Sequence, residues 1–282
     1  PGQKGLIKRL KRFSLSGLVG NQKTVLVVET AAPLTSIFLQ AINEVKQQSL
    51  NNVAGILRGT EKPEEYIIFS AHYDHLGTGN NSSAMRQPIP GQDSIFNGAN
   101  DDASGTTAVI ELAKYFGKKH LNKRSIIFTT FTAEEIGEYG SQYFSSHMDN
   151  KKVIAMFNIE MIGTLSKWGT NSAYITGFER SNFGTLLQAN LKSSSFKFYP
   201  DPYPEQNLFY RSDNAQLALK GVPAHTISTS KMDDERNYHT PQDEIKTLDL
   251  ENMTRIIDAI ALSSKQLISG KETPDRVAIE NE

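Results

Sequence analysis

A set of histidine and acidic side chains stands where predicted strands or helices of this chain begin or end. The set comprises His72, Asp74, Asp101, Glu134, Glu135, Glu160 and His239. Open α/β sheets bind ligands beyond the carboxyl ends of their strands, so side chains that follow different strands can meet at one edge. Imidazole nitrogens and carboxylate oxygens are ligands of zinc, and a carboxylate that stays free can transfer protons. The set therefore suits a pair of zinc ions with nitrogen and oxygen ligands.

Taken one at a time, most of these residues have an ordinary structural explanation. A His-x-Asp motif, here beginning at His72, is weak on its own, and a histidine such as His239 is common in loops. Acidic residues at the start of a helix, as at Asp101 and Asp102, are typical of helix capping. Glu160 is harder to explain, because it ends an apolar run and a buried carboxylate without a partner is costly. The metal-site interpretation therefore rests on the whole set.

Missing residue types and motifs exclude several other chemistries. The chain has no cysteine, which excludes disulfide bonds, thiolate nucleophiles and zinc sites built from cysteine. It also lacks the HExxH motif of helix-borne zinc proteases, the G-x-S-x-G motif of serine hydrolases, the P-loop and the dinucleotide-binding G-x-G-x-x-G. Any metal ion must therefore be held by His, Asp and Glu.

The composition is that of a folded domain without an electrostatic preference for nucleic acid. The 282 residues include 30 Lys and Arg against 31 Asp and Glu, a formal net charge of -1, and 38% are hydrophobic. The balanced charge argues against a nucleic-acid partner, and the apolar fraction is enough for a sizeable core. No run approaches about 18 consecutive apolar residues, so we expect no membrane-spanning segment.

From residue 24 onward, apolar runs typical of strands alternate with segments of helical period, which predicts an α/β domain. The predicted strands are 25–28, 53–57, 66–70, 126–131, 153–159, 173–176 and 224–228. The predicted helices are 34–45, 103–116, 139–147, 186–191, 214–219 and 250–268. Residues 77–98 are predicted to form one loop, of a length that often serves a site.

Six sequence blocks, which occur in order between about residues 52 and 268, resemble those of the di-zinc aminopeptidase family. The blocks are AHYDHLG, GANDDASG, FTAEEIGEYGS, FNIEMIG, RSDNAQLALKGVPA and YHTPQDE. The family includes bacterial leucyl aminopeptidases, aminopeptidase Y and the catalytic domains of glutamate carboxypeptidases. The resemblance implies an α/β three-layer sandwich, with a mixed, mostly parallel central sheet flanked by helices.

The resemblance also implies a role for each residue of the set. Asp101 would bridge two zinc ions, with Glu135 and His239 completing the first site. His72 and Glu160 would complete the second site.

The catalytic residues implied by the resemblance are Glu134 as general base and Asp74 as the carboxylate behind His72. A cis peptide bond between Asp101 and Asp102 is expected from the same resemblance.

Two positions depart from the family pattern. The family usually has Asp where this chain has Glu160, and the extra methylene puts the affinity or identity of the second metal in question. The family commonly has His where Asn214 stands, so we assign no catalytic role to Asn214.

The function implied by the resemblance is that of a zinc-dependent aminopeptidase. A hydroxide shared by two zinc ions would attack the N-terminal peptide bond of a substrate with a free N-terminus, and Glu134 would act as general base. Three alternatives stay open on the same fold: a one-zinc glutaminyl cyclase, a carboxypeptidase with Arg211 as carboxylate clamp, and a non-catalytic receptor-like ectodomain.

By composition and resemblance the chain divides into three parts: an N-terminal extension (1–47) packed on the domain edge, a zinc peptidase catalytic domain (48–270) and a polar C-terminal tail (271–282) that we expect to be frayed. The extension is basic, and its residues Leu6, Leu10 and Phe13 have helical spacing. A basic amphipathic helix there could contact a membrane surface, although packing on the domain is the favoured interpretation.

Because residue 1 is Pro, we expect that residues of the natural protein precede it, a signal peptide among the candidates. Since enzymes of this kind are usually exported, the expected location is periplasmic or secreted.

Overall fold

The computed structural model describes residues 47–120 and 122–279, and most of its strands form one mixed sheet. The strands are β1 (Val53–Leu57), β2 (Lys62–His72), β3 (Gly77–Thr78), β4 (Ile95–Phe96), β5 (Arg124–Phe131), β6 (Val153–Ile159), β7 (Ser172–Ile175), β8 (Lys197–Pro200) and β9 (Ala224–Ser228). The main sheet has the order β1-β5-β2-β6-β9-β7-β8, and β3 pairs separately with β4.

The four central strands of the sheet are parallel, and an antiparallel pairing flanks them on each side. Strands β5, β2, β6 and β9 run parallel to one another, while β1 pairs antiparallel with β5 at one edge. On the other side β7 is antiparallel to β9 and parallel to β8. The parallel centre matters for function, because its strands end at a common edge.

Helices connect the strands and cover both faces of the sheet. The α-helices are α1 (Ser104–Lys119), α2 (Tyr139–His147), α3 (Phe183–Ala189), α4 (Ala215–Ala218), α5 (Leu250–Ser263) and α6 (Lys265–Ile268). Short 3₁₀ turns lie at Phe178–Arg180, Pro204–Gln206, Leu208–Tyr210 and Ile245–Thr247. None of the helices in the described part of the chain combines the length and apolar character needed to cross a membrane.

The two faces of the sheet carry separate apolar cores because neighbouring residues of a strand point to opposite sides. In β2, Ile67 and Phe69 pack with Leu112 of α1 and Ile256 of α5. The residue between them, Ile68, belongs to the other core, where residues of α4 pack. Helices on both faces give the three layers expected from the sequence.

Most predicted elements are present with shifted ends. The strands predicted at 53–57, 153–159 and 224–228 and the helix at 139–147 have the predicted bounds. The predicted helix 250–268 is two helices, which are separated at Ser264, and the hydroxyls of Ser263 and Ser264 bond to main-chain carbonyls of the preceding turn. The predicted loop 77–98 contains the short β3–β4 ladder.

Two predicted elements, the strand 25–28 and the helix 34–45, lie outside the described residues, as does the basic amphipathic segment. The domain boundaries at residues 47 and 270 stay predictions.

The expectation of a frayed C-terminal tail is wrong for residues 271–279. Val277 is buried in the second core. Arg124, itself buried at the start of β5, donates to the carbonyl of Glu272 at 2.6 Å, to the hydroxyl of Thr273 at 2.6 Å and to the carbonyl of Leu267 at 2.8 Å. A polar composition concealed this packing, because part of it depends on a main-chain carbonyl that any residue provides.

We expect the change Arg124→Met to lower the free energy of unfolding by about 3 kcal/mol, because it removes the buried guanidinium and leaves its hydrogen-bond acceptors without a donor. The neighbouring change Lys123→Met is the control, since Lys123 pairs with Glu61 at the surface at 2.8 Å and should cost less than about 1 kcal/mol. Urea unfolding of both variants measures the difference. Equal losses of stability would contradict the anchoring role of Arg124.

Candidate metal centre

Three parallel strands deliver acidic and histidine side chains to one edge of the sheet. His72 is the last residue of β2 and pairs with Phe131, the last residue of β5. Glu160 directly follows β6, which lies on the other side of β2. Glu134 and Glu135 belong to the turn after β5. The pairing register therefore places these side chains around a common point.

A loop before α1 brings Asp101 to the same place. The turn begins at Gly98, whose φ of +61 is left-handed, and the Asp101–Asp102 peptide bond is cis, as the resemblance implied. The carboxylate of Asp243 accepts the main-chain N–H groups of Asn100 at 2.8 Å and of Asp101 at 3.0 Å. The loop is thus fixed by an acidic side chain from the turn that follows His239.

Asp102 acts at the start of α1 and also beyond it. Its Oδ1 accepts the N–H of Gly105 at 3.0 Å, which is the capping contact expected from the sequence, and the N–H of Met161 at 3.0 Å. Its Oδ2 lies 3.4 Å from the N–H of His72. This buried carboxylate therefore ties together the ends of β2, β6 and the start of α1.

The two carboxylate oxygens of Asp101 face two different histidines. Oδ1 lies 3.1 Å from Nε2 of His72, and Oδ2 lies 3.3 Å from Nε2 of His239. The same nitrogen of His239 is 3.1 Å from Oε2 of Glu135. Asp101 thus has the position of a bridge between two groups of ligands.

Glu160 completes the group on the His72 side. One ligand atom each from His72, Asp101 and Glu160 lies within 4.8 Å of the others. Oε2 of Glu160 is buried and has no hydrogen-bond partner among the described residues. Burial raises the pKa of Glu160 to about 7. The five predicted metal ligands therefore lie together, including the one that departs from the family pattern.

Glu134 lies beside these residues and lines the adjoining cavity together with Asp101 and Glu160. Burial raises the pKa of the Glu134 carboxyl well above its usual value; His72 opposes the rise, and the charge of Glu160 adds to it. A carboxyl group with a raised pKa at the wall of a cavity has the properties of a general acid–base.

The contacts of Asp74 differ in detail from the expectation. Its carboxylate lies 3.7 Å from Nδ1 of His72, and that ring nitrogen donates instead to the main-chain carbonyl of Asp74 at 3.0 Å. The carboxylate is used elsewhere, because it accepts the N–H of Glu134 at 3.1 Å and faces the N–H of Glu135 at 3.4 Å. Asp74 thus orients both the ring of His72 and the turn that carries the two glutamates.

Three further residues of the centre were missed in the sequence. His75 contacts Glu135, with Nδ1 of the ring 2.6 Å from Oε1. Both carboxylate oxygens of the buried Asp213 lack a hydrogen-bond partner among the described residues. The third is Asp243, described above. Each of the three lies in one of the six sequence blocks that resemble the family. Attention to every acid and histidine within those blocks could therefore have identified them.

Asn214, at the position where the family commonly has His, has a structural environment. Its amide donates to the carbonyls of Phe209 at 2.9 Å and Ala224 at 3.2 Å, and its oxygen accepts the hydroxyl of Thr226 at 2.8 Å. The amide of Asn214 is thus engaged in hydrogen bonds within the fold, which agrees with our assigning it no catalytic role.

The donor set fits zinc. Two atoms bound to one tetrahedral zinc ion at 2.0–2.1 Å lie about 3.3 Å apart. The distances of 3.1 and 3.3 Å among His239, Asp101 and Glu135, and of 3.1 Å between His72 and Asp101, match this value. The buried Oε2 of Glu160, which has no hydrogen-bond partner among the described residues, is what a site for a cation would leave.

A cavity of about 60 Å³ opens beside the centre. Its wall includes Leu208 and Arg211. The loop 77–98 holds His239, whose Nδ1 donates to the carbonyl of Ser83 at 3.0 Å. The ring of Tyr238 stacks on that of His239, with the two ring centroids 3.8 Å apart.

Comparisons with known proteins give the same picture. Residues 52–264 match the model of peptidase family M28. A Leptosphaeria maculans protein described as a probable zinc metalloprotease is 32% identical over 117 residues, which are 41% of this chain and 25% of that protein. Aminopeptidase YwaD of Bacillus subtilis is 25% identical over 248 residues, which are 82% of this chain and 47% of that protein.

Solved structures confirm the predicted fold class. An aminopeptidase from Aneurinibacillus sp. strain AM-1 has a TM-score of 0.58 at 25% identity, over 82% of this chain and 50% of that chain. A glutaminyl cyclase from Porphyromonas gingivalis shares the fold with a TM-score of 0.57 at 18% identity, over 79% of this chain and 78% of that chain. The chain spans about a quarter to a half of the length of the metalloprotease and the aminopeptidases. The match to the family covers residues 52–264, which is most of the chain and includes every residue of the candidate metal centre. The chain therefore belongs to peptidase family M28.

Proposed function

We propose that this chain is a zinc-dependent aminopeptidase that hydrolyses the N-terminal peptide bond of its substrate. The single observation that carries the proposal is the position of Asp101, whose two oxygens face His72 and His239 at 3.1 and 3.3 Å. Membership of a peptidase family and similarity to aminopeptidases support the same activity. Proteins described as probable zinc metalloproteases support zinc as the metal.

The proposed centre takes two zinc ions. His239, Glu135 and Oδ2 of Asp101 would hold the first, and His72, Glu160 and Oδ1 of Asp101 the second. The separate distances to the two oxygens of Asp101 support two sites rather than one shared site. When bound, such ions lower the pKa of water and polarise a carbonyl group.

Glu134 is the proposed general base. It takes a proton from the attacking water on a carboxylate oxygen and gives that proton to the nitrogen of the leaving amine, so the carboxylate is regenerated in each cycle. Its raised pKa favours the step in which the proton is held. Asp74 would keep Glu134 in place through the main-chain N–H that it accepts at 3.1 Å.

The charge of the cavity supports a substrate with a free N-terminus. Asp101, Glu134 and Glu160 line it, and these carboxylates would attract the ammonium group of a peptide end. Arg211 lines the same cavity, which is the observation that favours a carboxypeptidase as the second candidate, because a guanidinium can bind a terminal carboxylate. Peptides blocked at one end or the other separate the two activities.

A glutaminyl cyclase and a receptor-like ectodomain would make different demands on the centre. The cyclase would work with one zinc ion, so metal stoichiometry and an N-terminal glutamine peptide distinguish it. The ectodomain would have lost metal ligands, whereas all five positions here keep side chains that bind metals. A periplasmic or secreted location, and contact of the basic N-terminus with a membrane, stay predictions.

We expect Glu134→Gln to lower the rate of hydrolysis of an aminoacyl anilide by about 100 to 10,000-fold, because the amide cannot accept the proton. The variant should still bind two zinc ions, as measured by metal analysis. Glu111→Gln, at an exposed position of α1, is the control and should hydrolyse the anilide normally. Full activity of Glu134→Gln would show that another residue is the base.

The change Glu160→Asp should leave activity intact or raise it, because it restores the carboxylate that the family usually has. Glu160→Gln, which keeps the size and removes the charge, should weaken the binding of one of the two zinc ions. Metal analysis and anilide hydrolysis of the two variants test this. Complete metal loss in Glu160→Asp would contradict the ligand role.

The stability of the metal-free protein should fall as the pH rises from 5.5 to 8. Burial raises the pKa values of Glu160 and Asp213 to about 7, so the folded state holds protons that the unfolded state has lost, and the stabilisation disappears as these groups ionise. His239 acts in the same direction, since its pKa is raised to about 10 by neighbouring carboxylates despite its burial; the lowered pKa of His225 acts in the opposite direction only below about pH 6.5.

Bound zinc replaces those protons, so the melting temperature of the zinc-loaded protein should exceed that of the metal-free protein by more at pH 8 than at pH 5.5. Scanning fluorimetry at both pH values measures the two differences. An equal difference at both values would contradict a zinc site built from these carboxylates.

A further inference from the structure

We propose that His75 is a positioning residue, which holds one oxygen of Glu135 so that the other faces the first metal ion. The inference rests on the proposed zinc centre and adds to it a residue outside the set of ligands. It starts from the fact that the two carboxylate oxygens of Glu135 have different partners. Oε1 lies 2.6 Å from Nδ1 of His75, whereas Oε2 lies 3.1 Å from Nε2 of His239.

The distances distinguish a positioning residue from a ligand. His75, Asp101 and Glu135 form a group of side chains close enough to hold a metal ion among them. However, Nδ1 of His75 is 2.6 Å from Glu135 and 3.9 Å from Oδ2 of Asp101. The first distance is that of a hydrogen bond, and both differ from the separation of about 3.3 Å between two ligands of one tetrahedral zinc ion.

His239, unlike His75, lies at the distances from Asp101 and Glu135 that are expected between ligands of one zinc ion. Its Nε2 lies 3.3 Å from Asp101 and 3.1 Å from Glu135, both close to the separation of two zinc ligands. The first site is therefore assigned to His239, Asp101 and Oε2 of Glu135. His75 contacts the other carboxylate oxygen of Glu135, Oε1.

The ring of His75 is fixed by its surroundings. A Cβ atom at position 98 would lie 2.7 Å from Cγ and 2.9 Å from Cβ of His75, so the glycine there lets the ring pack against the main chain. The ring also meets that of His239 edge-on, at a centroid distance of 5.6 Å and an angle of 74°. A ring held in this way presents Nδ1 to Glu135 in one orientation.

The hydrogen bond runs from His75 to Glu135. A carboxylate accepts, so Nδ1 carries the proton and donates it to Oε1. Nε2 of His75 has no hydrogen-bond partner among the described residues, so the ring contacts Glu135 through Nδ1. Hydrogen bonds to metal-binding carboxylates fix their orientation, and their loss typically lowers metal affinity by about 10 to 100-fold.

The experiment titrates the metal-free full chain with Zn²⁺ against a chelating indicator, and with Co²⁺ followed by visible absorption. We expect His75→Leu to weaken the binding of one of two ions by about 10 to 100-fold and to change the Co²⁺ spectrum. His75→Asn should restore most of the affinity, because its amide N–H can occupy the place of Nδ1. His147→Leu, at an exposed histidine of α2, is the matched control and should bind as the wild type does.

Melting temperatures of the metal-free variants show whether the fold is retained. Unchanged affinity in His75→Leu would overturn the proposal. So would loss of one ion from both His75→Leu and His75→Asn with a stoichiometry of one, since that result would make His75 a ligand. If the wild type binds no zinc, the proposed function fails as well; if it binds two ions and His75→Leu binds them equally well, only the role of His75 fails.

Discussion

The structure depends on one electrostatic constraint: several buried carboxylates lie close enough together to raise one another's pKa values. Asp101, Glu134, Glu160 and Asp213 cannot all be ionised in an apolar environment unless positive charge lies among them. His72 and His239 supply part of that charge, and two divalent cations would supply the rest. A fold that gathers so many acids at one point is explained by the cations that it can bind.

Three further acids fix the loops and strand ends that carry these carboxylates, because each accepts main-chain N–H groups. Asp243 holds the loop of Asp101, Asp74 holds the turn of the two glutamates, and Asp102 joins the ends of β2 and β6 to α1. In each case the carboxylate is satisfied by the main chain and stays out of the metal group. The proposed role of His75 extends this arrangement from the loops to a single oxygen of Glu135.

The sequence predicted which side chains lie close together, because strand ends and residue types carry that information. His72, Glu135 and Glu160 follow apolar runs, and parallel pairing brings such positions together whatever the details of the loops. The uses of Asp74 and His75 could not be predicted in this way, since they depend on ring orientation and on contacts about 60 residues apart in the chain. Strand β8 was missed because it is short, ends in proline and follows a run of serines.

The most direct test of the proposed centre is a crystal structure of the zinc-loaded protein with anomalous diffraction measured on both sides of the zinc edge. We predict two anomalous peaks about 3.5 to 4 Å apart, one beside His72 and Glu160 and the other beside His239 and Glu135, with Asp101 between them. A single peak would favour a one-metal chemistry on the same fold. Peaks elsewhere, with these five side chains bound to no metal, would contradict the di-zinc centre.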